Sequence, residues 1–277
     1  MTTKDIIIAG TGMVGTRQLT HEVEAAFEKS SVIFLIDHQP GVMSRYLEEY
    51  DAEVVDLTEM YEPGKRREEI YREMAERVMQ TAEGTDDPVT LGLYGHPFVF
   101  VSPSRWIAEE APERGLDVEK LPGISSMDCL YSDIELDPGA TGIQMYEATD
   151  LLLHEFDLNV HVPTMIWQIG VVESVRYSEG ANRPERFSRV REFLQERYPD
   201  DHEVALLQTA VFPFTDSKQL WFELDEFESM SDSINSVQTL YVPPVSSKPV
   251  QNEQLAADIE DADHLETITV DGESQSL

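Results

Sequence analysis

The first half of the chain alternates short, uninterrupted apolar runs with stretches of helical periodicity. Residues 5–9 form one such run, as a parallel strand buried on both faces requires. Gly10-Thr11-Gly12-Met13-Val14-Gly15 follows as a turn, and a helical pattern then runs to about Lys29. Residues 31–36 make a second buried strand closed by Asp37, and residues 54–57 a shorter third. Pro63-Gly64 is a breaker. Beyond it Ile70, Met74, Val78 and Met79 lay out the apolar stripe of a helix that starts near Lys65 or Arg66 and stops at Gly84. Residues 89–94 are the next strand, turning at Gly95-His96-Pro97, and Leu121-Pro122-Gly123-Ile124 reads as another strand end. Strands alternating with helices predict an α/β fold with a mostly parallel sheet.

The texture then changes. Residues 144–148, 164–172, 204–211 and 219–224 are strand candidates, and residues 185–197 a helix. They predict a second domain of α/β or α+β type. The expected organisation is residues 1–120, then 121–245, then an acidic tail over 246–277. From residue 251 onward the tail has eight Asp or Glu and no Lys or Arg, with one helical turn expected around residues 255–259.

Charge narrows the functions open to this chain. Its 54 acidic and 20 basic side chains leave a formal charge of −34, which phosphate backbones and anionic membrane surfaces repel. Neither a nucleic acid nor a membrane is therefore expected as partner. A hydrophobic content of 41% still suffices for a core, so the charge does not signal disorder. The cations are 14 Arg and only 6 Lys. High acid with little lysine points to a halophilic protein, whose carboxylates hold water while salt screens their repulsion. The single cysteine, Cys129, excludes an internal disulfide and a thiolate zinc site, and no metal site is expected. The start of the chain lacks the long apolar region of a signal peptide, and no run reaches membrane-span length, so a cytoplasmic location is expected.

The glycine loop admits three readings. Gly10-x-Gly12-x-x-Gly15, with Asp37 22 positions further on, has the form of a dinucleotide-binding fingerprint with an acid for the ribose. That would make the chain a nicotinamide-dependent oxidoreductase. A strand-to-helix turn that binds nothing fits the same glycines, as does the cleft loop of another α/β family.

Later motifs choose among these. Tyr94-Gly95-His96-Pro97, Leu121-Pro122-Gly123-Ile124-Ser125-Ser126, Trp167-Gln168-Ile169-Gly170 and Thr239-Leu240-Tyr241-Val242-Pro243-Pro244 occur in that order. Together they resemble the tetrapyrrole methylase superfamily over about residues 6–244. The resemblance implies two α/β domains with a cofactor cleft between them, S-adenosylmethionine as cofactor and a homodimer. Within that superfamily, Tyr61, Arg67 and Tyr71 around the Pro63-Gly64 turn look like the borosin-type peptide α-N-methyltransferases. So do the segment from Tyr94 to Ser104, Asp128-Cys129-Leu130, and Tyr146-Glu147-Ala148-Thr149-Asp150-Leu151-Leu152. Those enzymes methylate backbone amide nitrogens.

The residue types suit that chemistry. An amide nitrogen is a weak nucleophile because its lone pair is delocalised into the carbonyl. Methylation needs a base for its proton and a cation for the charge that builds on oxygen. Arg67 and Tyr71, four apart, share one helix face. The expected roles are Tyr71 or Tyr61 as general base and Arg67 as the cation. An Arg–Tyr pair on a solvated face, with Tyr71 in the apolar stripe, is the plainer alternative. For the cofactor, the resemblance implies Tyr94, His96 and Val99, then Ser125 and Ser126, then Gln168, Ala210 and Thr239. His96 as a turn histidine bonded to backbone, and Ser125-Ser126 as a helix cap, remain open.

Three departures bear on substrate. Thr58 stands where the borosin enzymes suggest another tyrosine, Phe98 replaces a glycine after the Gly-His-Pro turn, and the tail is not an apolar core peptide. The expected substrate is therefore a separate precursor peptide. A tetrapyrrole or other small molecule is the alternative substrate, and a non-catalytic binding protein the alternative outside enzymes.

Overall fold

The computed structural model describes residues 4–38 and 40–269. The first three residues and the tail beyond Thr269, both part of the terminal expectations above, lie outside the described residues.

The apolar runs form one parallel sheet. Strands β1 (Ile6–Gly10), β2 (Val32–Ile36), β3 (Glu53–Asp56), β4 (Val89–Leu93) and β5 (Val118–Leu121) lie in the order β3-β2-β4-β1-β5. β1 and β4 are buried at every position, as parallel strands covered on both faces must be. One face carries α3 (Arg67–Glu83) and α4 (Ser102–Glu110). The α3 stripe Ile70, Met74, Val78 and Met79 is at most 1% exposed and packs with Ile6, Ile8, Phe34 and Leu91. The other face carries α1 (His21–Phe27) and α2 (Pro40–Leu47), through Val23, Phe27, Met43 and Leu47.

The second sheet is mixed. It runs β6-β7-β10-β8-β9 through Gln144–Glu147, Thr164–Trp167, Thr239–Val242, Glu203–Gln208 and Lys218–Glu223, with only β6 and β7 parallel. α7 (Ala148–His154) and α8 (Ser188–Gln195) cover one face, and α5 (Ser126–Asp133) the other. A four-residue turn, α6 (Pro138–Thr141), precedes β6, and α9 (Glu253–Glu260) and α10 (His264–Ile268) follow the sheet. Among the described residues no helix is long and apolar enough to cross a membrane.

Four expectations need correction. No helix opens at Gly15: a 3-10 turn (Gly15–Arg17) intervenes, and α1 starts only at His21, where the Thr20 side chain caps it by accepting from Val23 N. The strand expected over 164–172 stops at Trp167, because Gln168 turns left-handed at φ 58°. The strand expected over 204–211 stops at Gln208. The tail is helical for longer than one turn, through α9 and α10.

Backbone crowding sets the junction of the first-sheet loops. A Cβ on Gly10 would stand 2.6 Å from Gly123 N and 2.7 Å from Gly95 O, closer than any side chain can sit. Gly10→Ala should therefore lower the free energy of unfolding by about 1–3 kcal/mol. Gly41→Ala, where nothing lies within 4 Å, should be neutral or slightly stabilising. Denaturant midpoints of the two variants check this.

Candidate active site

In an open α/β sheet the carboxyl ends of the strands make the ligand-binding edge. Here the loops after β1, β2, β4 and β5 converge at that edge, and Gly12 and Gly95 form an isolated antiparallel bridge. The glycine loop itself is occupied from within. Gln18 Oε1 accepts from Met13 N at 2.6 Å and from Val14 N at 2.9 Å, so two amides that would meet a pyrophosphate are already taken. That removes the physical basis of the dinucleotide reading.

The Tyr–Arg–Tyr set reaches the second half of the chain through a short backbone clasp. Pro63 and Gly64 occupy the centre of a turn closed by Lys65 N on Glu62 O at 3.1 Å, with Gly64 at the positive φ of 85° that a type II turn demands. The chain then runs antiparallel to residues 175–177. Gly64 N donates to Tyr177 O (2.9 Å), Tyr177 N to Lys65 O (3.0 Å) and Arg67 N to Val175 O (2.9 Å). The Arg67 guanidinium adds a hydrogen bond to Ser174 O. A cavity of about 1150 Å³ lies along this seam, and Tyr61, Arg67, Tyr71, Tyr94 and Gln168 all line it.

Four tyrosines crowd one end of the cavity. Tyr61 stacks on Tyr177 at 4.7 Å and meets Tyr71 edge-on at 6.2 Å. Burial drives the Tyr61 phenol well above its ordinary value, with Tyr71, Tyr94 and Tyr177 adding to the effect. Tyr94 shows solvent part of its ring, but burial pushes its hydroxyl up to about 12, helped by Tyr71 and Asp37. Burial also raises Tyr177, followed by Glu179, whose carboxylate accepts from its hydroxyl at 3.4 Å. His38 covers Tyr94 with ring centroids 3.6 Å apart, and burial lowers its imidazole to about 4.

The remaining expected residues are not among those that line this cavity. His96 Nδ1 accepts from Phe98 N at 3.1 Å, and Val99 N donates to His96 O, so both belong to the turn after β4. Ser125 caps α5 in a reciprocal box with Asp128, and Ser126 is the first residue of that helix. Cys129 on the same helix bonds Thr209, which puts Ala210 near the start of α5. Thr239 is 4% exposed within β10, opposite Leu207. The turn and cap readings of His96 and Ser125 thus describe what these side chains do within the chain. Among the described residues no group of His, Cys, Asp or Glu is arranged to hold a metal ion.

Several wall residues had no signal along the sequence. Tyr177 and Arg176 arrive only through the clasp. Phe100, inside the segment from Tyr94 to Ser104 but given no role there, is left-handed at φ 56° and lies 5.4 Å from Trp167, a contact that only tertiary structure makes. His38 was adjacent to a residue read for another purpose, Asp37. Two buried polar atoms, His38 Nε2 in the wall and Trp167 Nε1 on the ring beside Phe100, have no hydrogen-bond partner among the described residues.

With the geometry in place, the likenesses to known proteins fall into order. Residues 5–217 match the family model of the tetrapyrrole (corrin/porphyrin) methylases, and the chain belongs to that family. It is 30% identical over 250 residues to the methyltransferase/ribosomally synthesized cyclic peptide dendrothelin A precursor of Dendrothele bispora, covering 90% of this chain and 60% of that one. It is 32% identical over 247 residues to a methyltransferase/ribosomally synthesized type II borosin cyclic peptide precursor of Phlebiopsis gigantea, covering 88% and 44%. The chain thus spans about half the length of these relatives. Two solved structures share the fold. Uroporphyrin-III-C-methyltransferase from Thermus thermophilus has a TM-score of 0.60 at 18% identity, covering 87% of this chain and 92% of that one. A cobalt precorrin-4 methyltransferase has 0.57 at 17% identity, covering 86% and 94%.

The His38 environment makes a prediction. Its folded value of about 4 lies below the ordinary 6.5, so the unfolded chain binds the extra proton between those pH values. This group's contribution is full above pH 6.5 and falls by about 3 kcal/mol as pH drops through 4. His38→Gln should therefore flatten the acid limb of stability, read as denaturant midpoints at pH 7 and at pH 4.5.

Proposed function

We propose that this chain is an S-adenosylmethionine-dependent methyltransferase acting on backbone amide nitrogens of a separate precursor peptide. The observation that carries the reading is the convergence of Tyr61, Arg67, Tyr71, Tyr94 and Gln168 on one cavity. The names of the curated relatives, which pair a methyltransferase with a peptide precursor, support it. A tetrapyrrole acceptor has only the shared fold in its favour.

The site suits such a cofactor. The unpartnered His38 Nε2 is a polar atom in the wall that a polar ligand satisfies, and Tyr94 and Gln168 bring further donors. His96, Val99, Ser125, Ser126, Ala210 and Thr239 lie outside the cavity lining, and the resemblance to the family is what supports assigning them to the same cofactor. When bound, the cofactor supplies an electrophilic methyl group carried on sulfur.

The chain's residues supply the rest. Tyr61 and Tyr94 are held as neutral phenols by burial, so they donate hydrogen bonds. Tyr71, which shares a hydrogen bond with Tyr61, is the base that takes the amide proton. Arg67 stands one helical turn before it on α3 and faces the charge that builds on the substrate carbonyl oxygen. The tyrosine walls hold the peptide and exclude water, so that much of the rate comes from alignment.

We further read the chain as two domains over residues 1–120 and 121–245 with an acidic tail, and as a homodimer in the cytoplasm. Leu220, Trp221 and Phe214, exposed on and before the edge strand β9, support the dimer. The acidic surface supports a halophilic origin.

Tyr71→Phe and Arg67→Ala should each reduce methyl transfer about 100-fold or more while S-adenosylhomocysteine still binds, by peptide mass spectrometry and calorimetry. Turnover near that of the parent would reject the assignment. The mass of the chain's own tail should stay unchanged in the same incubations. Stability should rise from low to molar salt, followed by thermal melting, as screening relieves a charge of −34.

A further inference from the structure

The cavity that receives substrate is unlike the rest of this molecule in charge. A chain with 54 acids and 20 cations lines it with five arginines against three acids, Glu68, Glu179 and Asp232. Outside the cavity, several arginines find carboxylates: Arg72 pairs with Glu110, Arg114 with Glu76 and Arg191 with Glu228. Inside it they mostly do not. Arg66 has one carboxylate, Glu68, at 3.9 Å. Arg176 Nη1 donates to Gly64 O at 2.7 Å, Arg186 Nη1 to Gly170 O at 3.2 Å and to Asn182, and Arg67 to Ser174 O. Arg105, exposed on α4, makes no hydrogen bond or ion pair with any described residue.

Backbone carbonyls and amide oxygens orient a guanidinium without neutralising it. Each such arginine keeps further N–H donors for a ligand, and its full charge. A protein with acids in excess leaves cations uncompensated around a cavity at a cost, and an anionic ligand removes that cost. Carboxylate is the matching chemistry, since its two oxygens meet the guanidinium fork. The volume of about 1150 Å³ leaves room for an extended peptide segment beside a cofactor.

Building on the peptide reading above, we propose that the substrate segment is acidic, its Asp or Glu carboxylates received by Arg105, Arg176 and Arg186. The tyrosine end of the cavity then holds the amide to be methylated, and the arginines set register from flanking side chains. Substrate choice thus lies in charge along the peptide, away from the reacting atoms.

The test uses the full chain with saturating S-adenosylhomocysteine and two synthetic probes. One is a peptide alternating valine and glutamate, the other its valine–glutamine counterpart, both carrying an uncharged fluorophore through an amide at the N-terminus and amidated at the C-terminus, so that only side chains carry charge. The glutamate peptide should bind at least ~30-fold more tightly by fluorescence anisotropy. Arg105→Gln should cost it ~10-fold and leave the glutamine peptide unchanged, with Arg105→Lys intermediate. Unchanged affinity for S-adenosylhomocysteine in Arg105→Gln excludes the cofactor's own carboxylate as this arginine's partner. Equal binding of the two peptides, an equal loss for both, or a loss of cofactor affinity alone would overturn the proposal. Methyl transfer is read separately. Charge-selective binding without transfer to any peptide would sink the methylation reading and leave acidic-peptide recognition standing, and transfer without charge selectivity would do the reverse.

Discussion

The site depends on a strip of backbone only a few residues long. Residues 64–67 and 175–177 hydrogen-bond as a miniature antiparallel ladder, although 112 positions separate Gly64 from Arg176. Without that strip, Tyr61, Arg67 and Tyr71 would face solvent from the first sheet and Gln168 would belong to a different surface. The turn that starts it is local and inexpensive: proline presets one position and glycine supplies the positive φ of 85°. The ladder is costlier, because closing a loop of that length orders a great deal of chain for few bonds. Apolar packing around Tyr61, Tyr71 and Tyr177 against the first core offsets that cost. The same aromatic rings that bind the clasp together also form the wall of the cavity.

Much of the first half was legible because its information is local. A strand buried on both faces must be apolar throughout, so β1, β2 and β4 stand out as runs. α3 shows its stripe because one face alone is buried. Tyr61, Arg67 and Tyr71 around a Pro-Gly turn stood out through the family resemblance and not from the residues alone. The second sheet was harder: β7 ends where the backbone turns left-handed at Gln168, and a glutamine does not advertise that. The start of α1 was misplaced for a related reason. Gln18 folds back to satisfy the loop amides, which leaves Thr20, not the glycine loop, to open the helix. Arg105, Arg176 and Arg186 were invisible as a set, because only tertiary structure brings them to one cavity.

Two electrostatic regimes coexist in this molecule. On the surface, carboxylates outnumber cations so heavily that the mean field is repulsive, and salt moderates it over a Debye length of about 8 Å at physiological strength. In the cavity, desolvation governs instead. It holds Tyr61 and Tyr94 protonated and His38 neutral, so hydrogen-bond donors and acceptors there keep one identity across the working pH range. A site of this kind presents constant chemistry under a surface tuned to its solvent.

The crowding of Gly10, Gly95 and Gly123 carries one more implication, for how such a protein changes over generations. Where loops touch backbone to backbone there is no side chain to exchange, so no substitution short of a damaging one alters that edge. The cavity wall is built of side chains hung on helices and on loops, and each is replaceable by itself. Inherited variation is thereby channelled. The loop junction stays as it is while the wall is free to follow whatever the pocket is asked to hold.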